Sequence, residues 1–251
     1  MCKNCKHKPK TMTVPSFLPQ SALGLIKLDT QFPRLPGDLG LASSWGPRVC
    51  EFVVQGAFPS IIVKQQQSFA TSQFAGKLTQ AVKALTQSGV SAMTTSCGFL
   101  VIWQKALQAL TQVPIVTSSL CLLPELLQKE EQVGVLSIDE KSLTPMHWLG
   151  AGLNPQEQSR LVIAGVSSES HFCQAILGNQ TQLNEALARE EVVAAAFKLK
   201  KSAPRLKTLI LECTNLPPYQ LAIENATGLK VLSLRDVPQL LRAAGTLIET
   251  V

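Results

Sequence analysis

Gly89-Val90-Ser91-Ala92-Met93-Thr94-Thr95-Ser96-Cys97-Gly98-Phe99-Leu100 is the stretch on which the fold turns. An apolar run gives way to small hydroxyl residues and a thiol, and apolar residues follow at once. The pattern reads as a buried strand, a tight turn and the start of a helix. It returns in the second half as Leu206-Lys207-Thr208-Leu209-Ile210-Leu211-Glu212-Cys213-Thr214-Asn215-Leu216-Pro217-Pro218. Strands that feed helices in both halves predict α/β architecture with mainly parallel sheets.

Further strands read outward from these two: Leu23–Leu28, Arg48–Val54, Pro114–Ser119, Gln132–Ser137, Leu161–Val166 and Lys230–Leu234. Phe69, Phe74, Leu78, Val82 and Leu85 recur at helical spacing, which predicts a helix over Gln65–Ser88 that Gly89 stops. Other helices are expected from Phe99, over Cys121–Glu130 and Asn184–Lys198, and from Tyr219 and Pro238. The pattern restarts near Val133. It predicts two pseudo-symmetric lobes, each a mainly parallel sheet flanked by helices, with a site in the cleft between them. The expected division is a flexible basic leader at 1–20, a first lobe at 21–120 plus 230–251, and a second lobe at 121–229.

Composition narrows the function. The net charge is +6, but Lys3, Lys6, Lys8 and Lys10 crowd the first ten residues and the body is close to neutral. No basic stripe with interleaved aromatics is present, so nucleic acid is not expected as a partner. No apolar run nears the ~20 residues of a membrane span, and no apolar core of about 7–15 residues follows the basic start as a secretory signal requires. Seven scattered cysteines suit free thiols in a reducing compartment, the cytoplasm by default. Cys2, Cys5 and His7 form half of a zinc pattern, but four ligands are normal and no second pair follows. No metal is expected.

Cys97 and Cys213 share one setting, the end of a strand before a helix. Such thiols can fall below their usual pKa of ~8.5, and the same backbone N–H groups bind carboxylates. A carboxylate substrate held there would have a thiol on each side of its α-carbon. One thiolate removes the α-proton and the other thiol returns a proton from the opposite face, with no cofactor. The hydroxyls of Thr94, Thr95, Ser96 and Thr214 and the amide of Asn215 suit the developing enolate. Asp29 either orients Cys97, holds a substrate ammonium or is a turn residue. Arg34 either clamps a second carboxylate or covers a proline loop, with Arg48 as its rival. Glu212 should face away from Cys213, because strand neighbours alternate, and is expected to be a supporting or partnered residue rather than a catalytic one. Thr117 and Ser118 read as strand-end polarity, His147 and His171 as hydrogen-bonded residues of the second lobe, and Cys50, Cys121 and Cys173 as small buried hydrophobes.

Thr-Thr-Ser-Cys97-Gly, Glu-Cys213-Thr-Asn-Leu-Pro-Pro and the loop Asp29-Thr30-Gln31-Phe32-Pro33-Arg34-Leu35-Pro36-Gly37-Asp38 together resemble the aspartate/glutamate racemase superfamily. That group includes cofactor-independent amino-acid racemases, hydantoin racemase, maleate isomerase and arylmalonate decarboxylase. The similarity runs from about Ala22 to the C-terminus. It implies two α/β lobes around one site, with Cys97 and Cys213 as the acid/base pair and Asp29, Thr30, Arg34, Thr95, Ser96, Gly98, Thr214 and Asn215 around the substrate. Two cysteines also set the chain apart from the decarboxylase branch. Where glutamate racemases have Asp-Ser, Cys-Asn-Thr and Cys-Thr-His, this chain has Asp29-Thr30, Cys97-Gly98-Phe99 and Cys213-Thr214-Asn215, so the particular acid stays open. A homodimer is an expectation from the resemblance alone. The expected activity is a cofactor-independent isomerase, a racemase of an acidic amino acid. The alternatives are a cis-trans isomerase with a nucleophilic cysteine, or a non-catalytic ligand-binding or thiol redox protein.

Overall fold

β1 (Leu23–Leu28) is buried along almost its whole length, as an apolar strand without alternation must be when both faces of its sheet are covered. A computed structural model of the chain describes residues 22–246; Cys2, Cys5 and His7 and their leader lie outside them. β1 pairs in parallel with β2 (Val49–Val54) on one side and β3 (Ala92–Thr95) on the other, and β4 (Ile115–Val116) completes the sheet in the order β2-β1-β3-β4. The second half repeats this. β5 (Val133–Ser137), β6 (Leu161–Gly165), β7 (Thr208–Leu211) and β8 (Lys230–Leu232) form a parallel sheet in the order β6-β5-β7-β8. The two orders are the same, so β3 and β7 hold equivalent places. Cys97 and Cys213 follow them.

In open parallel sheets ligands bind beyond the carboxyl ends of the strands, where the strand order reverses. Here that is the gap between β1 and β3 and between β5 and β7. The registers Ile26↔Thr95 and Leu136↔Leu211 bring Leu28 level with Cys97 and Ile138 level with Cys213. All four side chains belong to one continuous core that runs through both lobes. Polar bonds tie the lobes together at the same level. The Thr214 hydroxyl donates to Ser96 O at 2.7 Å, the Ser119 hydroxyl donates to Leu211 O at 2.7 Å, and Leu39 N donates to Thr214 O at 3.0 Å.

Two helices are shorter than the periodicity predicts. The helix expected over Gln65–Ser88 spans Ala75–Gln87, with a separate 3-10 turn at Phe69–Thr71. The polar segment before it is occupied locally: Trp103 Nε1 donates to Gln67 O at 3.0 Å, and the Ser72 hydroxyl accepts from Phe74 N at 3.2 Å. The helix expected from Phe99 is a 3-10 helix over Gly98–Trp103 and then a short α-helix over Gln104–Gln108. Gln104 and Gln108 turn their amides onto the backbone of Ile115 and Thr117, which substitutes for continued helix.

The lobe boundary also needs correction. The return to the first lobe, expected at residue 230, comes after Leu232. Lys230 N donates to Lys207 O at 2.9 Å, and β8 pairs with β7. The final helix Pro238–Ala244 then buries Leu240, Ala243 and Ala244 against Leu23, Leu25 and Ala92 of the first lobe. No helix among the described residues is long and apolar enough to cross a membrane.

Candidate active site

Both thiols open onto one cavity between the lobes. It holds about 340 Å³ of space between atoms and is lined by Leu28, Thr30, Phe32, Arg34, Pro59, Val63, Ser96, Cys97, Gly98, Phe99, Ile138, Ile176, Leu177, Glu212, Cys213, Thr214 and Asn215. Only about 20 Å³ of it is open to a water-sized molecule, about the room of a single water, so the cavity is nearly closed. Cys97 is 8% exposed and Cys213 7%, and both are free thiols.

The turn that carries Cys97 is fixed by hydroxyls. Ser96 N donates to Ile26 O at 2.9 Å, and the Ser96 hydroxyl accepts from Leu28 N at 2.9 Å, so the turn is stitched to the end of β1. The Thr95 hydroxyl lies 2.9 Å from Cys97 O and 2.7 Å from Thr117 O. It holds the backbone and is absent from the cavity wall, which corrects the expectation that Thr95 touches substrate. Thr94 is likewise spent on Val116 O at 2.8 Å.

The proline loop supplies the other wall. Arg34 Nη1 donates to Asp38 Oδ1 at 2.6 Å and Nη2 to the Thr30 hydroxyl at 3.1 Å, with the guanidinium 4.8 Å from the Phe32 ring centre. Gly40 leaves room for this: a Cβ there would sit 2.0 Å from Arg34 Nη1. Asp38, which sequence reasoning passed over, is the hub. It is buried, its Oδ1 also accepts from Gly40 N at 2.7 Å, and its Oδ2 accepts from Asn215 Nδ2 at 2.6 Å. That orients the Asn215 amide so that its oxygen accepts from the Cys213 thiol at 3.4 Å. The visible signal was the Gly37-Asp38 pair closing a loop rich in proline.

Two other candidates lie away from the cavity wall. Asp29 does not line the cavity. Its Oδ2 accepts from Gly56 N at 2.8 Å, so it ties the loop after β1 to the turn after β2. Arg48, the rival clamp, is exposed at the opposite end of β1, where its carbonyl accepts from Leu23 N. Neither histidine reaches the cavity wall. His147 is buried in a capping box with Thr144 and edge-on to Phe99 at 5.2 Å, and His171 Nε2 accepts from Asn184 N at 2.7 Å. Thr117 and Ser118 bind Gln104 and Leu120 instead.

Glu212 is the largest departure. Alternation turns it away from Cys213 only while the strand continues, and β7 ends at Leu211. The chain then bends, and Glu212 joins the cavity wall at 1% exposure. Its Oε2 accepts from the Ser137 hydroxyl at 2.8 Å, while Oε1 is buried without a partner. A Cβ on Gly98 would lie 2.3 Å from both Glu212 O and Oε1, so only glycine lets the two turns meet.

These neighbours invert the expected acidity. Burial, and then the Glu212 carboxylate, push the Cys97 thiol up to about 12, against the Phe99 and Leu100 N–H groups and Arg34, which favour the thiolate. Burial and Glu212 likewise hold Cys213 well above the ordinary thiol value, with the Asn215 N–H opposing them. Burial pushes Glu212 itself up to about 8, opposed by the Ser137 hydroxyl. The favourable N–H groups are present as read from sequence, but desolvation outweighs them. Three neighbouring acids thus compete for very little negative charge. Their settings differ in kind. Cys97 has donors aimed at its sulfur and Arg34 nearby, whereas the Cys213 proton is held by the Asn215 oxygen.

A family model described as Asp/Glu/Hydantoin racemase matches residues 47–237. The chain belongs to that family. Dimethylsulfoniopropionate lyase 7 of Emiliania huxleyi is 30% identical over 222 residues, which cover 84% of this chain and 63% of that protein. The chain therefore spans less than two-thirds of that relative's length. Glutamate racemase from Francisella tularensis, solved with D-glutamate, superposes with a TM-score of 0.51 at 16% identity over 89% of this chain and 78% of that one. Arylmalonate decarboxylase superposes at 0.56 and 13% identity over 89% and 92%. At such identities the shared feature is the fold.

Proposed function

We propose that the chain removes the α-proton of a small carboxylate bearing a methylated sulfonium two carbons away, and so releases a dialkyl sulfide. The single observation that carries this reading is the polarity of the cavity. Arg34, and Glu212 once it ionises, are the charged side chains on a wall whose hydroxyls and amide are engaged within the protein and whose remainder is largely apolar, from Leu28 and Phe32 to Ile176 and Leu177. A primary ammonium brings three donors, and unpaired donors in an apolar site are costly. Asp29, the carboxylate expected to receive them, is bound to Gly56. Methyl groups on sulfur need no acceptors and suit apolar walls. The similarity to a dimethylsulfoniopropionate lyase supports the same substrate class.

Cys97 is the proposed base and Cys213 a neutral hydrogen-bond donor. Phe99 N–H, Leu100 N–H and Arg34 favour a thiolate at Cys97, while Asn215 Oδ1 accepts the Cys213 proton. An arriving cation lowers the cost of a negative charge in the cavity, so the substrate itself helps to generate the thiolate. The Cα–H bond then breaks towards Cys97. Its electrons form the Cα=Cβ bond, and the Cβ–S bond breaks with its pair leaving on sulfur. Dimethylsulfoniopropionate would give acrylate and neutral dimethyl sulfide, with the proton left on Cys97 for return to solvent. The neutral Cys213 thiol steadies the enolised carboxylate as charge builds there.

The equivalent positions of the two thiols favour a second reading, racemisation of an amino acid, in which each thiol serves one enantiomer. One experiment separates the two. Purified protein is incubated with dimethylsulfoniopropionate, and headspace gas chromatography follows dimethyl sulfide. Parallel samples with D- and L-amino acids in deuterated water are read by NMR for Cα exchange. Sulfide release without amino-acid exchange is expected. Exchange without sulfide would replace the lyase reading by the racemase one.

A further inference from the structure

We infer that Glu212 selects the cationic end of the ligand, facing a methylated onium ion while Arg34 marks the carboxylate end. The inference rests on the lyase reading for its substrate class. It goes further in assigning the onium recognition to one residue and in extending it to quaternary ammonium acids that the site binds without turning over.

Four observations converge on Glu212. Its carboxylate is on the cavity wall and almost wholly buried. Oε2 is anchored by the Ser137 hydroxyl at 2.8 Å, which leaves Oε1 buried with no donor. As a carboxylate such an oxygen is costly, so burial favours the protonated acid, and a cationic ligand would favour the ionised form. Arg34 does not supply that cation, because its guanidinium is engaged by Asp38 and Thr30. Gly98 lacks the Cβ that would lie 2.3 Å from Oε1, so the oxygen stands against the turn that carries Cys97. The polar side chains of the wall, Thr30, Ser96, Thr214 and Asn215, are engaged within the protein, and the remaining ones are mainly apolar or aromatic. They accept N- or S-methyl groups, whose polarised C–H bonds can rest against Oε1 and the ring faces. A primary ammonium would satisfy Oε1 with one N–H and leave the others facing hydrocarbon.

The test uses three ligands of one skeleton, each titrated calorimetrically into the full chain. 3-Trimethylammoniopropionate carries the onium charge, 4,4-dimethylpentanoate is its neutral carbon isostere, and 3-aminopropionate carries the charge without methyl groups. Wild-type protein is expected to bind the first about tenfold or more tighter than either of the others. In Glu212→Gln the advantage over the neutral isostere should fall to within about twofold. Glu212→Asp, which withdraws the carboxylate by one methylene, serves if the glutamine variant does not fold, and it too should shrink the advantage. Equal wild-type affinities for the onium and its isostere overturn the inference, as does an advantage that survives in the variants. Binding of 3-aminopropionate as tightly as the trimethyl compound does so too. These titrations need no turnover. Onium selection lost in the variant but without sulfide release leaves Glu212 in this role and removes the lyase reading; sulfide release with selection unchanged in the variant does the reverse.

Discussion

Gly98 sets the tolerance of the site at the scale of single residues. The obstacle to a methyl group there is backbone oxygen as well as a side chain: Glu212 O lies 2.3 Å from where the Cβ would be. Relaxation would have to part the two turns that bring the thiols together. Gly98→Ala is therefore expected to cost about 1–3 kcal/mol of stability, as overpacking does, and to lower sulfide release far more than that loss of folded protein explains. Thermal melts alongside the headspace assay check it, and an alanine variant with wild-type release would remove Gly98 as a constraint. Glycine here is forced by contact, not by dihedral, which is why Cys97-Gly98 in the sequence carried no hint of it. Glu212 is partnered, by Ser137, as a supporting residue should be, but its place on the cavity wall is not legible from alternation, because β7 ends one residue before it.

At the scale of elements, the two cysteine turns depend on a loop from elsewhere in the chain. The segment 29–40 is pinned from inside by Asp38, which joins Arg34, Gly40 and Asn215. Asp38→Asn places an NH2 group among these donors and leaves a buried guanidinium without its carboxylate. Breaking one side of such a pair costs about 3 kcal/mol or more, a fall of roughly 6–12 °C in Tm for a chain of this size. The Asn215 amide would also lose its orientation on Cys213, so alkylation of Cys213 by iodoacetamide should change in rate, read by mass spectrometry. An unchanged melt and unchanged labelling would mean the loop is held by something else. The eight strands of the described residues are legible in the sequence, because apolar runs ending in small polar residues have few other readings. The loop's contacts are not: Arg34 and Asp38 are four residues apart, but Asn215 joins them from the other lobe. Asp29 looked equally functional by composition, and only the fold shows that Gly56 takes its carboxylate.

At the scale of the molecule, repetition of the strand order brings β3 and β7, and with them both thiols, to one cavity. The same packing shapes the dependence of stability on pH. Burial holds His147 down at about 4, so as pH falls from about 6.5 towards 4 the unfolded chain takes up a proton first and stability is lost. Glu212 acts in the opposite direction. Raised to about 8 from 4.5, it leaves stability intact below about pH 4.5 and lets it fall as pH rises to 8, because the unfolded carboxyl ionises first. Urea midpoints between pH 5 and 8 should therefore decline in wild type relative to Glu212→Gln, whose amide does not titrate. Parallel profiles for the two proteins would show that Glu212 ionises normally in the fold.

If the two thiols share one ligand, rates of dimethyl sulfide release by wild type, Cys97→Ser and Cys213→Ser test it most directly. Loss of a positioned acid or base predicts that each variant falls by about 10²–10⁴-fold while its melting curve stays near that of wild type. Undiminished release from either folded variant would contradict it.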